Sequence, residues 1–362
     1  MDDRVEALHA VLATCRPAWI AGHGDQAWAA LEQAEHLAGQ DDAARVQTWS
    51  MRAGLHLLAE QFDEGVRCAE RAVELGRALA ASGQPPLDPS TREAVLDARV
   101  TLASMADEGP YPATGTSLAD ACAELDEVSR DPALAGTNVA SRAVNNALNL
   151  RLTALWEHLH TVEGQVEAWV QISAARTLVR GWPDQGNILR QAVDVGMHCG
   201  QWERAWSSAQ EQIADTTQRN ELIAVLAKAA LLAWHADRSA EARELGERAR
   251  ALSVAVDLPW VRTYAYLGYV VAAAAGAGSL AAGLEAYARC TDRTGHASRP
   301  HRAWRAAQVA LDCGHPADEV EAFLVSTLPD GLEGHGVADQ TAVLLADARH
   351  LEVDPGQAER LV

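Results

Sequence analysis

The sequence predicts an all-α fold of helix pairs repeated in tandem. Three observations carry that reading: a composition rich in helix formers, a near absence of strand signals, and a small residue that returns about every 37 residues in one local frame.

The 362 residues are 48% apolar, yet they hold only 2 Phe and 5 Tyr and show little β-branched enrichment. Alanine, leucine, glutamate and arginine dominate, and these side chains lose little rotamer freedom in a helix. No alternating run of Val, Ile and Thr is bounded by Asn-Gly or Asp-Gly, so hairpins have no signal.

The repeat shows when QFDEGVRCAERAV (61–73) is set on QWERAWSSAQEQI (201–213). Each begins with Gln and an aromatic residue, places a small residue three later, and an alanine four after that. The frame recurs in RSAEARELGERARA (238–251), SLAAGLEAYARC (279–290) and, more weakly, GDQAWAALEQAEHL (24–37). The small residues are Ala27, Gly65, Ala121, Ala168, Ala205, Ala242 and Gly283, with Val320 as a looser eighth. Successive steps are 38, 56, 47, 37, 37, 41 and 37 residues. A small side chain belongs where two helices cross closely, because a bulky one would force the axes apart. Ahead of each anchored helix lies another with apolar residues at helical spacing, such as Leu152/Leu155/Trp156/Leu159, Leu189/Ala192/Val193 and Leu226/Ala229/Ala230/Ala233. Two helices per unit in tandem are the signature of an α-solenoid.

These residues resemble the tetratricopeptide repeat family over most of the chain. Trp49, Ala53, Phe62, Gly65, Ala69 and Ala72 fall on its consensus positions in the second unit. Leu189, Ala192, Trp202, Ala205 and Ala209 do so in the fifth, and Leu226, Ala229, Ala230, Ala242 and Ala249 in the sixth. The units run longer than is usual for the family, and the closing proline is missing, with Arg77 in its place in the second unit. Long, proline-poor units are similar to the solenoid regions of large bacterial transcriptional regulators. The resemblance implies a tetratricopeptide-like α-solenoid of about eight antiparallel helix pairs, read as a single domain over 1–362. Segments 76–91 and 107–117 are Pro/Gly/Ser-rich and read as loop insertions, with helix starts near Asp88–Thr91 and Thr116–Ser117. Residues 330–353 read as a C-terminal capping helix.

Charge narrows the partners. Fifty acids against 30 bases give a net charge of −20, which repels nucleic-acid phosphates and anionic membranes. Lys228 is the sole lysine, an arginine bias expected of a GC-rich bacterial genome. The N-terminal MDDRVEALHAVLA lacks the pattern of a secretion signal, and the longest apolar stretch, 264–284, is broken by four glycines, so a cytoplasmic location is expected. Six scattered cysteines without a CxxC are expected to be reduced thiols.

No GxGxxG, GxxxxGK[ST], HExxH or GxSxG occurs, and no cofactor or metal is implied. In a solenoid the first helix of each pair lines the concave face, so its non-core stripe is where a ligand would sit. The fourth unit offers Arg142, Asn145, Asn146, Asn149, Thr153, Glu157 and His160. The fifth offers Asn187, Arg190, Asp194 and His198, at spacings of three or four. Trp234 and His235 close the helix of the sixth, Tyr264 and Tyr269 are the candidates of the seventh, and Arg302 and Arg305 stand in the eighth. Asn lowers helix propensity, so three on one solvated face call for a reason, and Asn with Arg can cradle a carboxylate or a peptide backbone. Asp194–His198 and Glu157–His160 have the spacing of acid–histidine dyads, but no nucleophile or oxyanion donor accompanies them. A basic island at 288–308 could receive an anion. The residues favour recognition over catalysis: a groove for a peptide, a protein segment, or a small polar or anionic ligand. The other readings are a regulatory sensor acting through a partner chain and a small-molecule enzyme on the same frame.

Overall fold

A computed structural model describes residues 3–59, 61–82, 87–104, 117–182, 186–216, 218–254, 256, 258–292 and 300–327. Among them every regular element is helical, with sixteen α-helices and no strand. The chain forms two compact units, Met1–Gln191 and Ala192–Val362. The first holds α1 (Asp3–Ile20), α2 (Gly24–Ala38), α3 (Asp42–Leu58), α4 (Phe62–Ala81), α5 (Pro89–Ser104), α6 (Leu118–Ser129), α7 (Asn138–Leu155) and α8 (Val162–Leu178). Helix α9 (Gly186–His198) begins before the division. The second unit then holds α10 (Trp202–Asp215), α11 (Arg219–His235), α12 (Ser239–Ser253), α13 (Pro259–Ala272), α14 (Leu280–Asp292), α15 (Pro300–Asp312) and α16 (Ala317–Thr327).

Local chemistry sets the helix starts. The side chains of Asp41, Ser117, Thr137 and Thr161 accept backbone N–H groups in the first turns of α3, α6, α7 and α8, which satisfies donors a helix leaves orphaned. Asp88 does the same for Ser90 and Thr91 at α5. Connections of three residues join α1 to α2, α3 to α4, α9 to α10 and α11 to α12, which leaves the chain room only to reverse.

All eight anchor residues are buried. Seven of them, all but Ala168, are the fourth residue of an even-numbered helix. Within the first unit α3 packs on α4 and also on α5, and within the second α11 packs on α12 and also on α13. Odd helices therefore neighbour one another as well as their paired even helices. The apolar cores follow: Leu8, Leu12, Ala27 and Leu31 between the first helices, and Leu231, Leu267, Val271 and Leu284 in the second unit.

Three sequence expectations are corrected. The 76–91 segment is not a loop throughout, because α4 continues to Ala81. Gly76 is a helix residue against α5, where an added Cβ would come within 2.3 Å of the Val95 side chain. It marks a close approach rather than a chain break. Next, α7 ends at Leu155 and gives way to a 3-10 turn at Trp156–His158. The ring of Trp156 is therefore turned out of the core, 38% exposed, while Leu152 and Leu159 are buried as expected. Finally, His160 lies beyond that turn, so Glu157 and His160 do not share an α-helical face. The expected capping helix at 330–353, residues 107–116 of the second insertion and residues 83–86 of the first lie outside the described residues. Among the described residues no helix is long and apolar enough to cross a membrane.

Candidate functional site

In the first unit four odd-numbered helices meet on one carboxylate. Asp97 of α5 is buried, 8% exposed, and accepts from Arg16 Nη2 of α1 at 2.6 Å and from Ser50 Oγ of α3 at 3.4 Å. Arg142 of α7 completes the ring through Nη1 to the other Asp97 oxygen and Nη2 to Thr101 Oγ1 at 3.3 Å. Gly54 makes room for the cluster, since a Cβ there would stand 2.7 Å from Arg16 Nη2. Burial alone would raise the Asp97 carboxyl, but the charges of Arg142 and Arg16 outweigh it and hold it below the ordinary carboxylate range. Glu93, one turn earlier, is pushed up by burial and by the Asp97 charge. The Arg16 charge also acts on Glu93, so two acids and two guanidinium groups share this part of the unit.

The expected α7 stripe is sorted by burial. Arg142, Asn146 and Asn149 are half-buried and Thr153 is exposed, at i, i+4, i+7 and i+11 along one face. Asn145 belongs to the packed side, 8% exposed, with its Nδ2 3.5 Å from Asn146 Oδ1. Asn149 Oδ1 accepts from Gln191 Nε2 of α9 at 3.0 Å. Asn187 and Arg190, also on α9, are half-buried. His160 is exposed, and the Glu157 side chain lies outside the described residues.

The second unit repeats the arrangement with different chemistry. Lys228 of α11 is 3% exposed and sits 2.6 Å from both carboxylate oxygens of Asp194 on α9. Its ammonium lies 5.2 Å from the centre of the Tyr264 ring on α13. The Arg302 guanidinium of α15 stacks on the same ring at 3.7 Å and donates to the Trp260 carbonyl oxygen at 3.2 Å and to Thr263 Oγ1. Two buried cations thus lie within about 6 Å of one phenol ring centre, where exclusion of water strengthens cation–π attraction. Burial raises the neighbouring Tyr287 hydroxyl far above its ordinary range, against the pull of Arg302.

The other expected residues are placed less centrally. His198 is half-buried at the end of α9, and the Asp194 carboxylate faces Lys228 with both oxygens. His235 stacks on Trp202 with ring centres 4.9 Å apart, and Trp234 packs against the core. Tyr269 lies under Arg250 at 3.8 Å, and Arg305 donates to Gln308 at 3.1 Å. In the basic island, Arg289 pairs with Glu285 at 2.6 Å, and residues 293–299 lie outside the described residues. A groove of about 250 Å³ between α14 and α16, lined by Leu284, Ala288, Ala322 and Phe323, includes none of the expected site residues.

Among the described residues no three His, Cys, Asp or Glu side chains are grouped to hold a metal ion. No cysteine there is in a disulfide, and burial pushes the Cys68 and Cys199 thiols up to about 11.

Sequence reasoning missed Arg16, Asp97 and Ser50, whose partners in the cluster are 45 to 81 residues away along the chain. Lys228 carried a legible signal, a lone charge inside the apolar run IAVLAKAALLAW at 223–234. No protein-family model matches the chain, and no curated protein matches it.

Proposed function

We propose that the chain is a recognition protein built from tetratricopeptide-like repeats, in which the odd-numbered helices of each unit present a polar face to a peptide, a protein segment or a small polar ligand bearing a carboxylate. The observation that carries this is the α7 stripe. Arg142, Asn146, Asn149 and Thr153 share one accessible face, and Arg142 joins it to the buried cluster around Asp97. Guanidinium and amide N–H groups side by side favour a carboxylate, and asparagine amides supply the neutral donors and acceptors a peptide backbone needs. The burial of all eight anchors and the packing of odd helix on odd helix support the repeat reading. Buried ion pairs beneath the stripe hold its helices in register, so a ligand meets a preformed surface and little ordering opposes binding.

Native mass spectrometry of the chain purified from its source cells tests this. A retained peptide, protein or acidic small molecule is expected, and it should be lost from an Asn146→Asp variant, whose added charge repels a carboxylate. A ligand retained equally by that variant would place recognition elsewhere.

A further inference from the structure

The outer side of α8 carries an apolar ridge that nothing in the first unit covers. Gly164, Ala168, Ile172 and Ala175 bury one face of the helix. Val162, Val166, Val170, Ala174 and Leu178 follow at steps of four in an inclined row that crosses the opposite face at Val166 and Val170, and every one is exposed. Their exposures are not marginal: 73%, 59% and 53% for the valines and 46% for Leu178. The ridge runs about 24 Å along the helix at 1.5 Å per residue. Other even-numbered helices treat the same face differently. Glu64, Arg67, Glu70, Arg71, Glu74 and Arg77 cover α4, and α12 offers Glu241, Arg243, Glu244, Glu247 and Arg248. A helix that exposes five aligned apolar residues where its siblings expose charge is a docking surface by its chemistry.

The flanks say what docks. Glu163, Glu167 and Gln171 run parallel to the ridge on one side; Glu163 and Glu167 are exposed and Gln171 is half-buried. The other side carries half-buried Trp169 and exposed Ser173 and Thr177, with exposed Arg176 near its C-terminal end, about 13 Å along the helix from Glu167. A ridge of residues four apart fits the groove between the corresponding ridges of a second helix. A second copy of the chain is a poor occupant. An antiparallel twofold pairing sets Glu163 and Glu167 against their own copies, and a parallel one sets them against Trp169 and Ser173, so neither brings a cation to them. We infer that α8 docks an amphipathic helix of another protein, one with an apolar face and a basic edge on the side that meets Glu163 and Glu167. This surface is separate from the polar stripe of the odd-numbered helices and does not depend on it.

The test uses two fluorescein-labelled helical peptides of about 20 residues, identical in a leucine face and differing only in a lysine or a glutamate edge, titrated by anisotropy against the full chain. The lysine-edged peptide is expected to bind saturably, and the glutamate-edged one at least about tenfold more weakly. Val166→Asp with Val170→Asp should weaken binding more than about tenfold, and because both valines are exposed the fold should be untouched, as far-ultraviolet circular dichroism would show. Glu163→Gln with Glu167→Gln should strengthen binding of the glutamate-edged peptide and reduce that of the lysine-edged one by about threefold to tenfold at low salt, so that the two affinities converge. Absence of saturable binding, equal affinity for the two peptides, or indifference to the valine variants would each overturn the inference. So would a wild-type dimer in sedimentation that Val170→Asp dissociates, because the occupant would then be a second copy.

Discussion

Replacing Asp97 by Asn tests whether the polar cluster of the first unit is what ties its odd-numbered helices together. The amide keeps the size of the carboxylate and one acceptor, but it leaves Arg16 and Arg142 facing each other across a buried site. Removing one partner of a buried ion pair costs about 3–5 kcal/mol, because the remaining charge stays desolvated. Here the two arginine side chains keep 24% and 19% of their exposure, so water recovers part of that and about 2–4 kcal/mol is the expected range. Two compact units make a single global transition an unsafe measure. Amide hydrogen exchange reads the local effect: the α5 and α7 amides should exchange about 30- to 700-fold faster, at 1.4 kcal/mol per tenfold. Helices α11 to α13 of the second unit, which touch none of these groups, should be unchanged. Protection of α5 within a factor of two of wild type would refute the reasoning, since Asp97 would then be one more surface acid.

Other outcomes follow from the same physics. Asp194→Asn should destabilise the second unit by about 2–4 kcal/mol, because Lys228 would stay buried without its anion, whereas Lys228→Met should cost about 1 kcal/mol or less, because Asp194 is 34% exposed and can return to water. Amide hydrogen exchange of α11 in the two variants compares them, and equal effects would contradict the assigned burial. The depressed Asp97 carboxyl contributes stability that is complete above about pH 4 and is lost as pH falls through its lowered value, so α5 protection should hold from neutral pH and decline only in stronger acid. Glu93, raised by burial, works in the opposite sense, so Glu93→Gln should stabilise the unit at pH 7 and have no effect at pH 3, measured by the same exchange experiment. Cys68 and Cys199, whose thiols sit at about 11, should resist iodoacetamide at pH 8 in the folded chain and react on unfolding, as peptide mapping would show.

Much of the helical plan was readable in the chain because it rests on local pattern. A small residue must occupy a close crossing, so Ala27, Gly65, Ala121, Ala205, Ala242 and Gly283 announced the even-numbered helices four residues into each. Where pattern and context disagreed, context decided. Gly76 reads as a helix breaker, yet it lies inside α4 because Val95 occupies the space a side chain would need. Trp156 fits an apolar period, but the helix ends one residue earlier and the ring turns outward. The α7 stripe was legible as a face, since Arg142, Asn146, Asn149 and Thr153 keep their spacing. Its foundation was not, because the Asp97 cluster joins residues from four helices, and no local period relates position 16 to 97 or 142. The same holds for Tyr264, whose role between Lys228 and Arg302 arises only when α11, α13 and α15 lie side by side.

Recognition of a carboxylate-bearing ligand on the α7 stripe can be measured by peptide binding. A mixed-sequence peptide library with free C-terminal carboxylates, and its amidated counterpart, can be titrated against the wild-type chain and Asn146→Asp. Saturable binding by members of the free-carboxylate library is expected, weakened at least about tenfold by amidation and again by Asn146→Asp, with the helical content unchanged. Binding that ignores both changes, or no binding from either library, would contradict it.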